Sequence, residues 1–326
     1  MISTYMPQLS NRLQIRDFRL VRAIAETGQL ALAAEQLGIT QPAASRMLAA
    51  IERTIGTSVF QRHPKGMTVT PMGEILARNA ITLLNGMEQT AREVEAVGGG
   101  RSGTIRVGSV TGGAVAHVVP AIQRLKRDAT RADIHIDVAP SDVLIDGLLG
   151  GDFDFVLSRI PAGTDARQFI VRRGRVEVIN FLIRTGHPLD GCHPVTLEEL
   201  EGYEWVIQAP HTPMRQAVEE AFLARSISLP REIVNSTSLL VMIAYLASTD
   251  AIAPVSREVA DLLGAGQATN GFARLEPAEP LIVNPYHLIA RKNHALSPLA
   301  AKLWGLILAG LSGEPDTPLI PASEGA

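Results

Sequence analysis

The chain contains a single cysteine, Cys192, among 326 residues, which excludes an internal disulfide and any zinc site built on several cysteines. Cys192 stands beside His193 and Pro194 in what reads as a loop, and with no activating partner it reads as an incidental thiol. Aromatic residues reach only 4% against 46% hydrophobic residues overall, so the interior is expected to be aliphatic. No apolar run is long enough to span a bilayer, and the start, Met1 to Pro7, is uncharged and soon polar, unlike a signal peptide. A cytoplasmic protein without a membrane partner is expected. Catalytic signatures are missing too. Gly98-Gly99-Gly100 lacks the Lys-Ser/Thr of a P-loop, no Gly-x-Ser-x-Gly elbow occurs, and the eight histidines show no metal-ligand spacing, with His117, His135 and His287 at structural positions in helices or strands. The residues therefore predict a non-enzyme with no cofactor and no metal.

What the chain does carry is most informative between Leu30 and Leu48. Ala33, Ala34 and Leu37 form a small apolar helix face, and Gly38 suits the left-handed end of that helix. Thr40 is placed to cap a second helix with its hydroxyl, and Pro42 falls in that helix's first turn, where a missing amide hydrogen is tolerated. Ala44, Met47, Leu48, Ile51 and Ile55 recur at helical spacing and face inward, leaving Gln41, Ser45, Arg46, Ala49 and Arg53 outside. Gln can bond adenine bidentately, Arg can bond guanine or a phosphate, and Ser serves either. This is a helix-turn-helix, a device that places one helix in the major groove of double-stranded DNA. A preceding helix with Phe18, Val21, Ile24 and Ala25 completes a three-helix core. Ser58 to Arg62, a turn at His63 to Gly66, and Met67 to Thr70 read as a β-hairpin wing with Arg62 and Lys65 at its tip, ready for phosphates. Through Pro71 there are eight Arg and Lys against four acids, a net +4 on a chain whose total is −3. A basic end on an acidic body is an electrostatic footprint for nucleic acid.

The run from Phe18 to Gly73, with Ala33 to Leu37, Thr40 to Arg46, Ile51-Glu52, Ile55-Gly56, Phe60 to Arg62 and Thr68 to Gly73, resembles the LysR-type transcriptional regulators. That resemblance implies that Gln41, Pro42, Ser45 and Arg46 lie at the start of the recognition helix. Arg53, Arg62, Lys65 and Thr70 complete the candidate DNA-contacting set. Where family members often carry Ser-Phe-Thr entering the motif, this chain has Gln29-Leu30-Ala31 and lacks those hydroxyls.

Beyond the wing, Leu76, Ala80, Leu83, Met87, Ala91 and Val94 recur in steps of three or four, the narrow seam of a coiled coil. A helix from Pro71 to Val97 would be about 40 Å long, too long to be buried on a small winged domain. It is expected to join a homodimer, setting two recognition helices about 10 base pairs apart. The resemblance extends the expected partners to a homotetramer and to RNA polymerase. Gly98 to Gly103 reads as a hinge.

From Thr104 strands and helices alternate. Ile105–Val110, Ile134–Val138 and Asp154–Leu157 read as strands, with helices near Thr111 and Ser141. Val176–Arg184, Glu204–Gln208, Arg231–Val234 and Ala251–Pro254 follow as strands, with helices from about Pro213, Ser236 and Ser256. Tyr286–Ala290 and a helix from Leu299 to Leu311 return to the first lobe. The expected fold class is α/β with a mainly α winged helix-turn-helix N-terminal domain, and the body resembles the two-lobed, periplasmic-binding-protein-like effector domain of the same family. Gly186-His187-Pro188-Leu189 matches a turn common there, whereas Ala247 to Asp250 replaces its usual Gly-x-Gly. The domains are expected at 1–71 (winged), 72–100 (linker helix and hinge), 101–312 (effector domain, lobe I about 104–176 and 279–312, lobe II about 177–278) and 313–326 (flexible tail).

Open α/β lobes bind ligands beyond the carboxyl ends of their strands. Ser109, Thr111, Ser158, Arg159, Gln208, His211, Thr212, Met214, Arg215, Ser236 and Thr237 stand at such places and form the candidate effector site. For Thr111, Ser141 and Ser236, helix capping alone is the plain alternative. Arg159 and Arg215 favour a small carboxylic acid or a phosphate, unless each is spent in an ion pair, while the Ser, Thr, Gln and His residues suit a sugar equally. The rival function is a two-lobed enzyme or solute-binding protein whose N-terminal helices serve assembly.

Overall fold

A computed structural model describes residues 12–99, 103–128, 132–191, 194–264, 271–292 and 294–312. Cys192, His193, most of the expected hinge and the expected tail lie outside the described residues. The chain divides into two compact units, one of residues 1–103 with 146–153 and the other of 104–145 with 154–326.

The first unit begins with α1 (Ile15–Thr27), α2 (Leu30–Gln36) and α3 (Gln41–Ile55). Gly28, Gly38 and Gly56 end these helices in the left-handed conformation, at φ 63°, 65° and 83°. Leu20, Val21, Ile24, Ala33, Ala34, Ala44, Leu48 and Ile51 form the shared core, with Met47 and Ile55 packed at its edge. Thr40 stands at the N-cap of α3 but makes no side-chain cap bond. Pro42 removes one of the two amides such a hydroxyl can reach, and the other, that of Ala43, is not bonded by it.

The wing is an antiparallel pair, β1 (Phe60–His63) and β2 (Gly66–Val69). It is tied down on both sides. Glu52 Oε1 accepts from the Val59 and Phe60 amides at 2.9 and 3.4 Å, and the Met67 amide donates to Gly28 O at 2.7 Å. Arg62 pairs with Met67 inside the strand, so Lys65 alone is the cation of the turn.

α4 (Pro71–Gly99) leaves the wing at once, 29 residues long. Its expected single seam is divided between two faces. Ala77, Ala80 and Leu84 are buried and Leu76 partly so, because α1 lies against the first turns of α4, whereas Met72, Ile75, Leu83, Met87, Ala91 and Val94 are exposed. Asn85 is buried within this unit and donates to Gly150 O at 2.6 Å and Asp152 Oδ1 at 2.8 Å.

In the second unit β3 (Thr104–Ser109) pairs in parallel with β4 (Asp133–Val138) and with β5 (Phe155–Ser158). Between β3 and β4 run α5 (Thr111–Gly113), a π-helical segment from Ala114 to Val118, and α6 (Val119–Asp128). α7 (Ser141–Gly150) precedes β5. The crossing strand β6 (Phe169–Arg184) begins seven residues earlier than expected, because Arg172, Arg173 and Arg175 hide its apolar alternation. Next come α8 (Leu197–Leu200), β7 (Trp205–Ile207), α9 (Pro213–Ala224), β8 (Ile233–Asn235), α10 (Leu239–Leu246), β9 (Ala253–Ser256) and α11 (Arg257–Gly264). β10 (Phe272–Leu275), which the sequence reading missed, pairs with β6, and the second crossing strand β11 (Leu281–Arg291) leads to α12 (Pro298–Ser312). The main sheet has the order β10-β6-β11-β5-β3-β4, with β9 also on β6, while β7 and β8 pair in parallel apart from it.

α10 starts at Leu239 and not near Ser236. Ser236 instead prolongs β8, its amide donating to Ile207 O at 3.0 Å, and Ser238 is the cap, accepting from the Val241 amide at 3.4 Å. Alternate residues of β6 feed two cores, Ile179, Phe181 and Ile183 one and Leu182 the other.

Gly73 fixes the join of wing and α4, since an added Cβ would lie 2.0 Å from Val59 O. Gly73→Ala is expected to destabilise this unit by about 1–3 kcal/mol or more. Gly86→Ala, with nothing within 4 Å of its new methyl, is expected to stabilise it by about 0.5–1 kcal/mol. Thermal unfolding of both variants reads the difference in sign.

Candidate DNA-reading and ligand-binding surfaces

On α3, Gln41, Pro42, Arg46, Ala49 and Arg53 are exposed and Ser45 is half-buried. Gln41, Ser45, Ala49 and Arg53 follow one another at intervals of four, so one face of the helix carries them all. Arg53 Nε bonds back to Ala49 O at 3.2 Å, keeping that side chain along the helix. Arg62 reaches the same face from the wing, its Nη2 donating to Ser45 Oγ at 3.2 Å. It is therefore a neighbour of the helix, with Lys65 exposed beyond it on the turn. Thr70, nominated for DNA contact, has its hydroxyl engaged within the fold at the start of α4. Its hydroxyl donates to Ser58 O at 2.8 Å and accepts from the Gly73 amide at 3.1 Å, so it caps α4 within the fold.

The nominated ligand residues of the second unit fall into two clusters. The first is built on the bulged pairing of β6 with β11. The register shifts between Val283 and Tyr286, where Pro285 has no amide to give, and Asn284 O then accepts from Arg159 Nε at 2.6 Å. The Arg159 guanidinium is ion-paired with Glu177 and sits 5.8 Å from the Tyr286 ring centroid. Side-chain exposure is 12% for Arg159 and 6% for Glu177, so this pair is effectively interior. Ser141 Oγ accepts from the Arg159 amide at 3.4 Å, and Ser109 and Ser158 are buried, with Ser109 Oγ donating to Val110 O at 2.9 Å. Thr111 is half-buried, and Gly112 beside it is packed so closely that a Cβ would lie 2.7 Å from Glu177 Oε1 and 2.8 Å from Ser256 Oγ.

The second cluster lies at the ends of β7 and β8. Arg215 is ion-paired with Glu219, and its Nη1 donates to Asn235 Oδ1 at 3.3 Å and Gln208 O at 3.5 Å. Gln208 Nε2 approaches Met214 Sδ at 3.6 Å, and Thr212 Oγ1 donates to Ala209 O at 2.9 Å. His211 adopts a left-handed φ of 71°. Ser236 Oγ accepts from the Ser238 amide at 3.2 Å, and Thr237 is exposed.

Both arginines are thus compensated by carboxylates and are not free cations awaiting an acid. A buried guanidinium without a partner would be too costly to keep. Sequence reading missed Glu177, Glu219, Asn284, Ser256 and Tyr286. Glu219 had a signal, since it stands four residues after Arg215 on a helix. Glu177 had none, as it follows a run of exposed arginines.

Among the described residues no group of three or more His, Cys, Asp or Glu could hold a metal ion, and no helix is long and apolar enough to cross a membrane. Residues 15–74 match the bacterial regulatory helix-turn-helix protein model of the lysR family, and residues 98–312 match the LysR substrate binding domain. The chain belongs to the LysR family of transcriptional regulators. An HTH-type transcriptional regulator GbpR of Rhizobium radiobacter is 36% identical over 252 residues, 77% of this chain and 83% of that one. A GbpR of Azospirillum brasilense is 32% identical over 97% of this chain and 91% of its own length. The fold is also that of CbnR, a LysR family transcriptional regulator, with a TM-score of 0.66 at 19% identity over 92% of this chain and 99% of that one. CbnR complexed with its target DNA gives a TM-score of 0.65 over 91% and 100%. This LysR-family chain accordingly has a helix-turn-helix DNA-binding domain and a substrate-binding domain.

His117 lies in the π-helical segment, its ring centroid 6.2 Å from that of Tyr286. Burial, with the charge of Arg175 second, lowers its pKa from 6.5 to about 4. Above pH 6.5 folded and unfolded chains both hold it neutral. As pH falls from 6.5 toward 4 only the unfolded chain takes up the proton, so stability is lost over that window. His117→Gln is expected to flatten this part of the stability profile, measured by urea unfolding at pH 7, 5.5 and 4.5 against the unaltered chain.

Proposed function

We propose that this LysR-family regulator reads its operator with Gln41, Ser45, Arg46 and Arg62, holds phosphates with Arg53 and Lys65, and responds to a small molecule at the Arg159 and Arg215 clusters. The observation that carries the DNA-reading part is the hydrogen bond from Arg62 to Ser45, which joins the wing to the exposed face of α3. An arginine held beside a base-reading serine is poised for a base edge, while Lys65 on the turn meets only the backbone. On the effector side, the support is a buried ion pair between Arg159, which follows β5, and Glu177 of β6, with Ser256 of β9 beside the carboxylate. The exposed Ile75, Leu83, Met87 and Val94 of α4 favour a homodimer, and the apolar surface left by one seam would serve further assembly to a tetramer. A dimer bound to duplex DNA in the cytoplasm would act on transcription through RNA polymerase.

Gel-shift titration against salt tests the reading. Affinity for a near-palindromic site is expected to fall linearly in log–log form with salt. Lys65→Ala is expected to weaken specific and random duplexes by a similar factor and to reduce the salt slope by about one. Ser45→Ala and Arg62→Ala are expected to narrow the gap between specific and random DNA, with a coupling of about 0.5–3 kcal/mol in the double variant. An Arg62→Ala protein that behaved like Lys65→Ala would assign Arg62 to phosphate instead.

A further inference from the structure

The Arg159 cluster is unbalanced in one respect. Its positive charge is met by Glu177 and its Nε by Asn284 O, so the guanidinium offers little to an incoming anion. The unmet capacity is of the opposite kind. Ser256 Oγ, 2% exposed as a residue and lying against Gly112 beside Glu177, has no hydrogen-bond partner among the described residues. Neither does Glu258 Oε2, a carboxylate whose charge acts on Tyr286 beneath Arg159, nor Gln208 Oε1 in the second cluster. Two of these three atoms can only accept, and the third can accept as well as donate.

Buried acceptors need donors, and a carboxylate or phosphate ligand brings none. It would also confront Glu177 while finding Arg159 and Arg215 already taken by Glu177 and Glu219. A protonated amine would donate but cannot accept, so it would leave the Ser256 proton without a partner. A hydroxyl group donates to the carboxylates and the amide oxygen, accepts from the serine, and brings no charge. A compound with several hydroxyls offers a donor to each acceptor it reaches and an acceptor to Ser256, and it brings no charge to either cluster.

We infer that the substrate-binding unit takes a neutral polyhydroxylated small molecule, a sugar or cyclic polyol, in preference to a carboxylic acid. The inference rests on the proposed effector role of the Arg159 and Arg215 clusters and narrows its chemistry. Ser256 is then a ligand-contacting residue that the sequence did not nominate.

Thermal unfolding of the full-length chain tests it, with D-glucose, D-galactose, D-xylose, L-arabinose and myo-inositol in one arm and acetate, succinate and benzoate in the other, each at 10 mM. Trimethylamine N-oxide at the same concentration, an excluded osmolyte without hydroxyls, controls for solute exclusion. At least one compound of the first arm is expected to raise the midpoint by about 2 °C or more, and none of the second. Ser256→Ala, which removes a hydroxyl without a protein partner and should leave the unliganded midpoint within about 1 °C, is expected to reduce that shift by half or more. Stabilisation by an acid that Arg159→Lys or Ser256→Ala abolishes would keep the site and overturn the polyol. A shift indifferent to Ser256→Ala, Arg159→Lys and Arg215→Lys alike would overturn the site itself and the inference with it. Silence in both arms would overturn the polyol while leaving the DNA-reading assignments untouched.

Discussion

The bulged antiparallel pairing of β6 and β11 is the constraint on which the second unit depends. Both strands run through the sheet, and β5, β9 and β10 are aligned directly on one or the other of them. The same pairing also creates the polar centre. Where the ladder slips at Asn284 and Pro285, a carbonyl that regular pairing would have consumed is left for Arg159, and Tyr286 is brought beneath the guanidinium. A defect in the hydrogen-bond ladder thus becomes the anchor of an interior ion pair, a use to which bulges near functional sites are well suited.

The first unit solves a different problem, that of holding a short hairpin rigidly against a small helical core. It does so with few, well-placed polar bonds. One carboxylate, Glu52, satisfies the amides entering β1; Gly28 O satisfies the start of β2; and Thr70 closes the wing while opening α4. Glycine at position 73 lets the backbone of the last helix approach Val59 closely. The outcome is that Arg62 on the wing and Ser45 on the helix share a hydrogen bond, so base-reading and wing residues form one surface.

Much of this was legible beforehand, for reasons that can be stated residue by residue. Gly38 announces a helix end because few other residues tolerate its backbone angle, and the inward stripe of α3 follows from a period of 3.6. The start of β6 was hidden because three arginines interrupt its alternation, and α10 was placed too early because Ser236 and Ser238 are equally good caps on paper. The seam of α4 was misread as one stripe because sequence spacing does not reveal which side α1 will cover.

Local order along the chain was sufficient for the kind of molecule: a winged helix-turn-helix, a long helix and an α/β body all follow from short-range patterns of backbone preference and hydrophobic period. The electrostatic state of the ligand cluster was another matter. Whether Arg159 is free or compensated turns on Glu177, 18 positions away, and on the carbonyl of Asn284, 125 positions away. Hydrophobic period is a property of neighbours, whereas charge compensation is a property of whatever the folded chain brings within a few ångströms, and only packing could make that choice.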